Sequence, residues 1–294
     1  MSAQAGAAAG GPGQFSAAAG GPGQFSTVPR QGIRLLDSRL RATVRSEWIK
    51  FRSVRSSPFA LAATALTVVV GAWLLGAGNR GSYQAASPAS QAAFDPVFTV
   101  LQGIELAQLF VVALGVITVT GEYTSGLIRG TFVATPQRGQ VLAMRALVFA
   151  VAVWACCTAM SFAAFFLGQS VLAPAKHAGI GDPGVLGAVF SAGLYLTLVG
   201  LLGMFTGVLV RRTPGALAAV FCLLAVLPIA LILFKGKLAS QLGEYLPGIA
   251  GEQAFHLLPG GAYTLGPWPG LGVLAAYVAV AAVAAFTLIR RRDA

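Results

Sequence analysis

Six apolar stretches dominate the sequence, and each is long enough to cross the hydrocarbon core of a membrane as a helix. A crossing helix needs about 20 residues that are mostly apolar. Only 10 % of the residues are charged, whereas soluble domains carry about 25 %. The sequence therefore predicts an all-α, polytopic membrane protein with six transmembrane helices. The predicted spans are 58–76, 97–120, 141–168, 185–210, 215–234 and 270–289.

The chain begins with a segment of different composition. Residues 7–16 read AAAGGPGQFS, and residues 17–26 repeat this run letter for letter. Gly, Pro, Ala and Gln without any charge before Arg30 cannot bury a core. Residues 1–29 are therefore predicted to be a disordered tail. We interpret the repeat as a low-complexity extension, and a functional role is the alternative.

Residues 30–57 form a basic segment that leads into the first span. At 100° per residue its large apolar side chains gather on one face of a helix, with most of the Lys and Arg residues outside that face. This pattern is typical of an amphipathic helix in a membrane interface, here the cytoplasmic one. Nucleic-acid binding is the alternative, but the adjoining span favours a lipid surface. The apolar face comprises Ile33, Leu36, Leu40, Val44, Trp48 and Phe51.

The distribution of Lys and Arg predicts the orientation. Sixteen of the 20 basic residues fall on the side of the two termini, and four fall on the opposite side. Positive charge is concentrated in cytoplasmic segments, so both termini are predicted to be cytoplasmic in the cell (plasma) membrane. Topology thus explains the net charge of +11 without any nucleic-acid partner. The four residues on the outer side are Arg80, Lys176, Lys235 and Lys237.

No pattern for catalysis, metal binding or cofactor binding occurs in the sequence. Both histidines, His177 and His256, lie in predicted outer loops. Gly236-Lys237 lacks the first glycine and the hydroxyl of a phosphate-binding loop. We therefore expect a chain that is not an enzyme, and any ATP must be bound by a separate protein.

The second span carries a polar stripe. Gln102, Glu105 and Gln108 are spaced three residues apart, which places them on one face of a continuous helix. A carboxylate near the middle of a span costs about 2.5–3.5 kcal/mol on insertion scales. Two interpretations stay open: these residues line a substrate path, or they form an interhelical hydrogen-bond network. In the fourth span, Gly203 and Gly207 form a GxxxG motif that permits close helix contact.

The loop between the second and third spans reads TGEYTSGLIRGTFVATPQR over 120–138. Thr120 or Thr124 is suited to cap a short helix that Pro136 ends. Such a helix would lie on the cytoplasmic surface, with Glu122 and Arg129 available to a partner.

This run, together with SEWIKFRSVRSSPF at 46–59, resembles the permease subunits of ABC-2 type ATP-binding-cassette exporters, most closely the actinobacterial branch. The similarity covers about 40–292, so the predicted organisation is a tail (1–29), a connecting helix (30–57) and a six-span domain (58–292). The resemblance implies that the loop is a coupling helix that docks on an ATPase. The residues assigned to coupling are Glu122, Gly126, Arg129, Thr135, Pro136 and Arg138.

The resemblance also implies partners and a cargo. We expect a homodimer, or a heterodimer with a second permease, bound to separate ATPase subunits and surrounded by membrane lipid. The second and fifth spans would line the path between protomers. The largely apolar walls favour an amphipathic or lipid-like substrate. The alternatives are a carrier, channel or assembly protein that works without an ATPase, and a membrane-embedded enzyme, which the missing catalytic residues disfavour.

Overall fold

The computed structural model describes residues 45, 46, 48, 49, 56–124, 138–173, 175–233, 237–257 and 265–291. All of them belong to one compact unit, Arg41–Ala294. Of these residues 88 % are helical and none is in a strand, which confirms the all-α fold. The helices are α1 (Ser56–Ala85), α2 (Pro88–Ala92), α3 (Pro96–Leu101), α4 (Ile104–Thr124), α5 (Arg138–Leu172), α6 (Val185–Val210), α7 (Thr213–Phe221), α8 (Leu227–Leu233), α9 (Lys237–Glu244), α10 (Pro247–Glu252) and α11 (Pro267–Arg291).

Within the described ranges, six helices are long and apolar enough to cross a membrane. They are α1, α4, α5, α6, α11, and a fifth-span helix in which α7 and α8 are joined by the π-helical turn Cys222–Val226. The chain is therefore a multi-pass membrane protein. We call the end of the bundle where α1 ends and α4 and α6 begin the outer end. The opposite end, where α4 and α6 end, is the inner end.

The segments before the first span are only sparsely described. The predicted tail (1–29) lies outside the described residues. Of the predicted connecting helix (30–57), the described positions before Ser56 are Arg45, Ser46, Trp48 and Ile49, which are helical and exposed. The amphipathic helix therefore stays a prediction.

Helices α4 and α6 approach so closely that their backbones touch. A Cβ atom at Gly203 would lie 2.8 Å from the carbonyl oxygen of Val112, and one at Gly207 would lie 3.3 Å from that of Val116. A Cβ atom at Gly200, one turn earlier on α6, would lie 2.8 Å from Cγ1 of Val111. Only small residues permit such an approach between membrane helices. The contact predicted from the GxxxG motif is thus present within the chain.

The second span is not the single helix that the sequence predicts over 97–120. The structure divides it at Gln102 and Gly103 into the short α3 and the longer α4. At this break the chain lies against α1, where a Cβ at Gly103 would be 3.2 Å from the carbonyl oxygen of Thr67. A Cβ at Gly71 would in turn be 3.1 Å from the Cα of Gly103. This contact between two glycines is tertiary, so the apolar run does not reveal it.

The first span is longer than its apolar core. Helix α1 runs to Ala85, past the predicted end at Gly76, and includes Asn79 and Arg80. The Asn79 side chain donates a hydrogen bond of 2.9 Å to the carbonyl oxygen of Leu75 on its own helix. Polar residues can thus extend a helix beyond the apolar length from which a span is predicted.

The π-helical turn in the fifth span has a local cause. Pro228 has no N–H to donate to the carbonyl of Leu224, four residues earlier, and its ring would clash with that carbonyl in a regular α-helix. A wider turn relieves the clash, and the N–H of Leu227 donates to Cys222 five residues earlier. Gly248 of α10 packs against the Leu224 carbonyl, because a Cβ atom at this glycine would lie 3.1 Å from the oxygen. The irregular turn thereby provides the surface against which α10, between the fifth and sixth spans, packs.

The glycine contact between α4 and α6 gives the first prediction. We expect Gly203→Ala to lower the thermal midpoint of the detergent-solubilised protein, because its methyl group meets the Val112 carbonyl. Overpacking of this kind costs about 1–3 kcal/mol. The matched control is Gly187→Ala on the same helix, where an added Cβ has no neighbour within 4 Å. Equal midpoints for the two variants would contradict the proposed close contact.

Candidate functional site

Tyr195 is the centre of a buried polar region at the outer end. This α6 residue is 0 % exposed, and its hydroxyl donates a hydrogen bond of 2.6 Å to Oε1 of Gln108 on α4. We number the outer segments in chain order: the first joins the first and second spans, the second joins the third and fourth, and the third joins the fifth and sixth. The Tyr195 ring lies against the third outer segment, 5.7 Å from the Phe255 ring centroid. A Cβ at Gly251 would be 2.6 Å from the same tyrosine ring. Tyr195 therefore joins α4, α6 and the segment after α10.

Two carboxylates belong to this region. Glu105 lies in the first turn of α4, one turn before Gln108, where the helix dipole favours a negative charge. Glu252 follows Gly251 at the end of α10. Burial, with a smaller contribution from the charge of Glu105, raises the pKa of Glu252 to about 8. We call Glu105, Gln108, Tyr195 and Glu252 the outer polar cluster.

The structure separates the three residues of the predicted polar stripe. Gln102 lies in the break before α4, outside the helix that carries the other two. Gln108 is 7 % exposed and forms the interhelical hydrogen bond to Tyr195, as the packing interpretation predicts. Glu105 is partly buried within the outer polar cluster. The three residues therefore do not belong to one continuous helix, because α4 begins two residues after Gln102.

Sequence reasoning did not identify Glu252 or Tyr195. Glu252 is the only charged residue in the run over 246–255, LPGIAGEQAF. A single acidic residue in such a run is a signal that could have identified it. Tyr195 carries no comparable signal, because a tyrosine in an apolar span is compatible with ordinary packing.

Asp95 connects the first and third outer segments. Its Oδ1 accepts hydrogen bonds from the backbone N–H groups of Val97 (2.9 Å) and Phe98 (3.0 Å), so it caps α3. Its Oδ2 accepts a hydrogen bond of 2.6 Å from the N–H of Leu257. Hydrogen bonds to a charged acceptor are among the stronger ones in proteins. One buried carboxylate thus holds two segments that are far apart in the sequence.

The second outer segment is tied to the first in the same way. The Gln169 amide donates 2.8 Å to the carbonyl of Pro96 and accepts 2.9 Å from the N–H of Ala178. Lys176 Nζ donates 3.1 Å to the carbonyl of Phe94. All three outer segments therefore form one layer that covers the outer polar cluster.

A cavity of about 210 Å³ opens between the starts of α6 and α11 beside this layer. Ser191, Ala254, His256 and Trp268 are among the residues that line it. The His256 ring stacks on Phe98 with centroids 3.6 Å apart. Burial lowers the pKa of His256, against the opposing charge of Asp95, which favours the neutral imidazole. The described residues that line the cavity include a serine and a histidine, and none of them is Asp, Glu, Lys or Arg.

Two of the six predicted coupling residues belong to the described part of the chain, and both are at the inner end. Glu122 lies in the last turn of α4, and Arg138 is the first residue of α5. Gly126, Arg129, Thr135 and Pro136 lie outside the described residues. The run over 120–138 thus connects the inner ends of α4 and α5, as the topology predicted for a loop between the second and third spans.

The chain matches no protein-family model and no curated protein sequence. In the part of the chain that the structure describes, no group of three His, Cys, Asp or Glu side chains could hold a metal ion.

The pKa of Glu252 predicts how stability depends on pH. Between the usual carboxyl pKa of 4.5 and about 8, the folded protein holds a proton that the unfolded chain has lost. The free energy of unfolding therefore falls as pH rises through this window and is lowest above it. We expect Glu252→Gln to remove much of this fall, so that the variant melts several degrees above the unmodified protein at the alkaline end. Thermal unfolding across the pH series measures this.

Gln253→Leu, at the next residue, is the matched control. It changes a polar side chain in the same segment without adding or removing a titratable group, so it should leave the pH dependence of the midpoint as it is. Parallel pH profiles for the unmodified protein and Glu252→Gln would contradict the assignment of a buried, protonated carboxyl group to Glu252.

Proposed function

We propose that this chain is the transmembrane permease subunit of an ABC-2 type exporter in the plasma membrane. It moves an amphipathic or lipid-like substrate out of the cell, and a separate ATPase subunit hydrolyses the ATP. The chain itself has no catalytic role. Its partner in the membrane is a second permease, either the same chain or a paralogue.

The observation that carries the proposal is the position of the 120–138 run. The letters that resemble the coupling helix of the ABC-2 family begin at Thr120, where α4 is ending, and finish at Arg138, where α5 begins. A coupling element has to lie at one end of the bundle, directly attached to the spans that it moves. The run meets this requirement for the second and third spans.

The charge distribution supports the same orientation. The segments that the predicted topology assigns to the inner end carry the excess of Lys and Arg, which is typical of the cytoplasmic side. With the inner end in the cytoplasm, the 120–138 run faces the compartment that contains ATP and its ATPase.

The outer cavity supports the proposal of an amphipathic or lipid-like substrate. Its lining combines apolar side chains with a serine and a histidine whose pKa is lowered by burial. A site without fixed charge favours an uncharged or amphipathic molecule over a strongly ionic one. The exposed apolar side chains of the fifth span, among them Phe221, Ile229 and Leu233, suit contact with lipid or with a second permease.

The proposal is tested by co-expression of this chain with an ATPase subunit that is encoded by a neighbouring gene. We expect the unmodified chain to co-purify with the ATPase, and the double variant Glu122→Arg, Gly126→Pro to lose it. The first change reverses the charge in the last turn of α4, and the second removes an N–H and fixes φ within the run. The matched control is Asp182→Arg, an equal charge reversal at an exposed outer position, which should keep the ATPase bound. Undiminished co-purification of the double variant would contradict the coupling role.

A carrier that works without an ATPase is the second candidate, and one observation favours it. Ion-coupled carriers keep ionisable groups within the membrane region, and the outer polar cluster brings Glu105 and Glu252 into one electrostatic neighbourhood. Uptake or efflux driven by a pH gradient in liposomes that contain only this chain would favour this candidate. The exporter proposal predicts no such transport.

A further inference from the structure

The turn between the fourth and fifth spans contains a strained residue. Arg211 follows the last residue of α6 with φ at +59°. Among the described residues it is the only one other than glycine with a positive φ. This left-handed conformation costs an arginine about 1–2 kcal/mol, and glycine or asparagine normally ends a helix this way. Arginine is therefore a poor choice for the backbone at this position.

The side chain of Arg211 is also held at a cost. Its Nε atom is buried and has no hydrogen-bond partner. A buried polar atom without a partner typically costs about 1–3 kcal/mol. Neither the backbone conformation nor the environment of Nε therefore favours an arginine at position 211.

The guanidinium of Arg211 lies over the ring of Tyr123, with Cζ 5.4 Å from the ring centroid. This distance is within the range of a cation–π interaction. Tyr123 belongs to the last turn of α4 and directly follows Glu122. The strained turn is thus attached to the last turn of α4, inside the first few residues of the predicted coupling run (120–138).

A second contact lies beside the first. The hydroxyl of Thr213, at the start of α7, donates a hydrogen bond of 2.7 Å to the hydroxyl of Thr120 on α4. Thr120 is fully buried and itself donates 3.0 Å to the carbonyl of Val116. The start of the fifth span is therefore hydrogen-bonded to α4, one helical turn before Tyr123.

We propose that Arg211 and Tyr123 form the joint through which movement of the coupling run reaches the fifth span. This inference rests on the proposed function, because it needs an ATPase that moves the run. The two are positioning residues: they touch neither nucleotide nor substrate, and they transmit displacement from the end of α4 to the turn that leads into α7. The unfavourable positive φ of Arg211 is then the energetic cost of keeping its guanidinium over the Tyr123 ring.

Cys222 provides a reporter within the fifth span. It is exposed on the π-helical turn, and replacing Cys156 and Cys157 by alanine leaves it as the single cysteine. The labelled chain, with an environment-sensitive fluorophore at Cys222, is assembled with the ATPase in nanodiscs and treated with ATP and vanadate. We expect a spectral shift in the otherwise unmodified chain.

Four variants test whether Arg211 and Tyr123 transmit movement or whether Arg211 only ends the helix. Arg211→Asn and Arg211→Gly relieve the left-handed backbone but remove the cation, so they should fold at least as stably and lose most of the shift. Tyr123→Leu should lose it as well, whereas Tyr123→Phe retains the aromatic face and should keep it. All four should still co-purify with the ATPase. A merely structural Arg211 would be replaced by glycine without loss of the shift.

The outcomes are distinguishable. If the unmodified chain binds the ATPase and shifts, and Arg211→Gly and Tyr123→Leu shift equally, the inference is wrong and the proposed function stands. If the unmodified chain binds no ATPase, both the inference and the function on which it rests are wrong. Loss of the shift in Arg211→Gly at unchanged thermal stability, with the shift kept in Tyr123→Phe, supports the joint.

Discussion

The direct backbone contact between α4 and α6 is the constraint on which the rest of the structure depends. In lipid, helices gain little from burying apolar surface against one another, so close van der Waals packing has to hold them together. The glycines that face α4 supply it, with Gly203 against the carbonyl of Val112. Because this contact fixes the register of the two helices, Tyr195 meets Gln108 at the outer end. The same register brings Thr213, just after α6, to Thr120 at the inner end.

Hydrophobic length and charge were enough to predict the six spans, and the GxxxG motif was enough to predict a close helix contact. The break at Gln102 and Gly103 was missed, because the apolar run continues through it and the contact found there is with Gly71 on another helix. The outer site was predicted in part. Glu105 and Gln108 could be found from polarity within a span, whereas Glu252 reaches the cluster only through the packing of α10. Pairings of this kind depend on tertiary structure, and local patterns carry no information on them.

The two ends of the bundle are held together by different kinds of contact. At the outer end, Asp95 and Gln169 join three segments into a layer over a cluster with two carboxylates. At the inner end, short contacts fasten the turn after α6 to the last turn of α4. Helix α4 belongs to both regions, because Gln108 contacts Tyr195 near its start and Tyr123 contacts Arg211 near its end. The proposed exporter mechanism requires such a shared element between the two ends of the bundle.

The most direct measurement is the rate of vanadate-sensitive ATP hydrolysis in nanodiscs that contain the neighbouring ATPase with and without this chain. A permease coupled to its ATPase predicts that the rate changes markedly when the chain is present, and that the chain alone hydrolyses no ATP. An identical rate with and without the chain would contradict the central claim. The contradiction would be complete if the chain alone also moved lipid-like cargo across a liposome membrane.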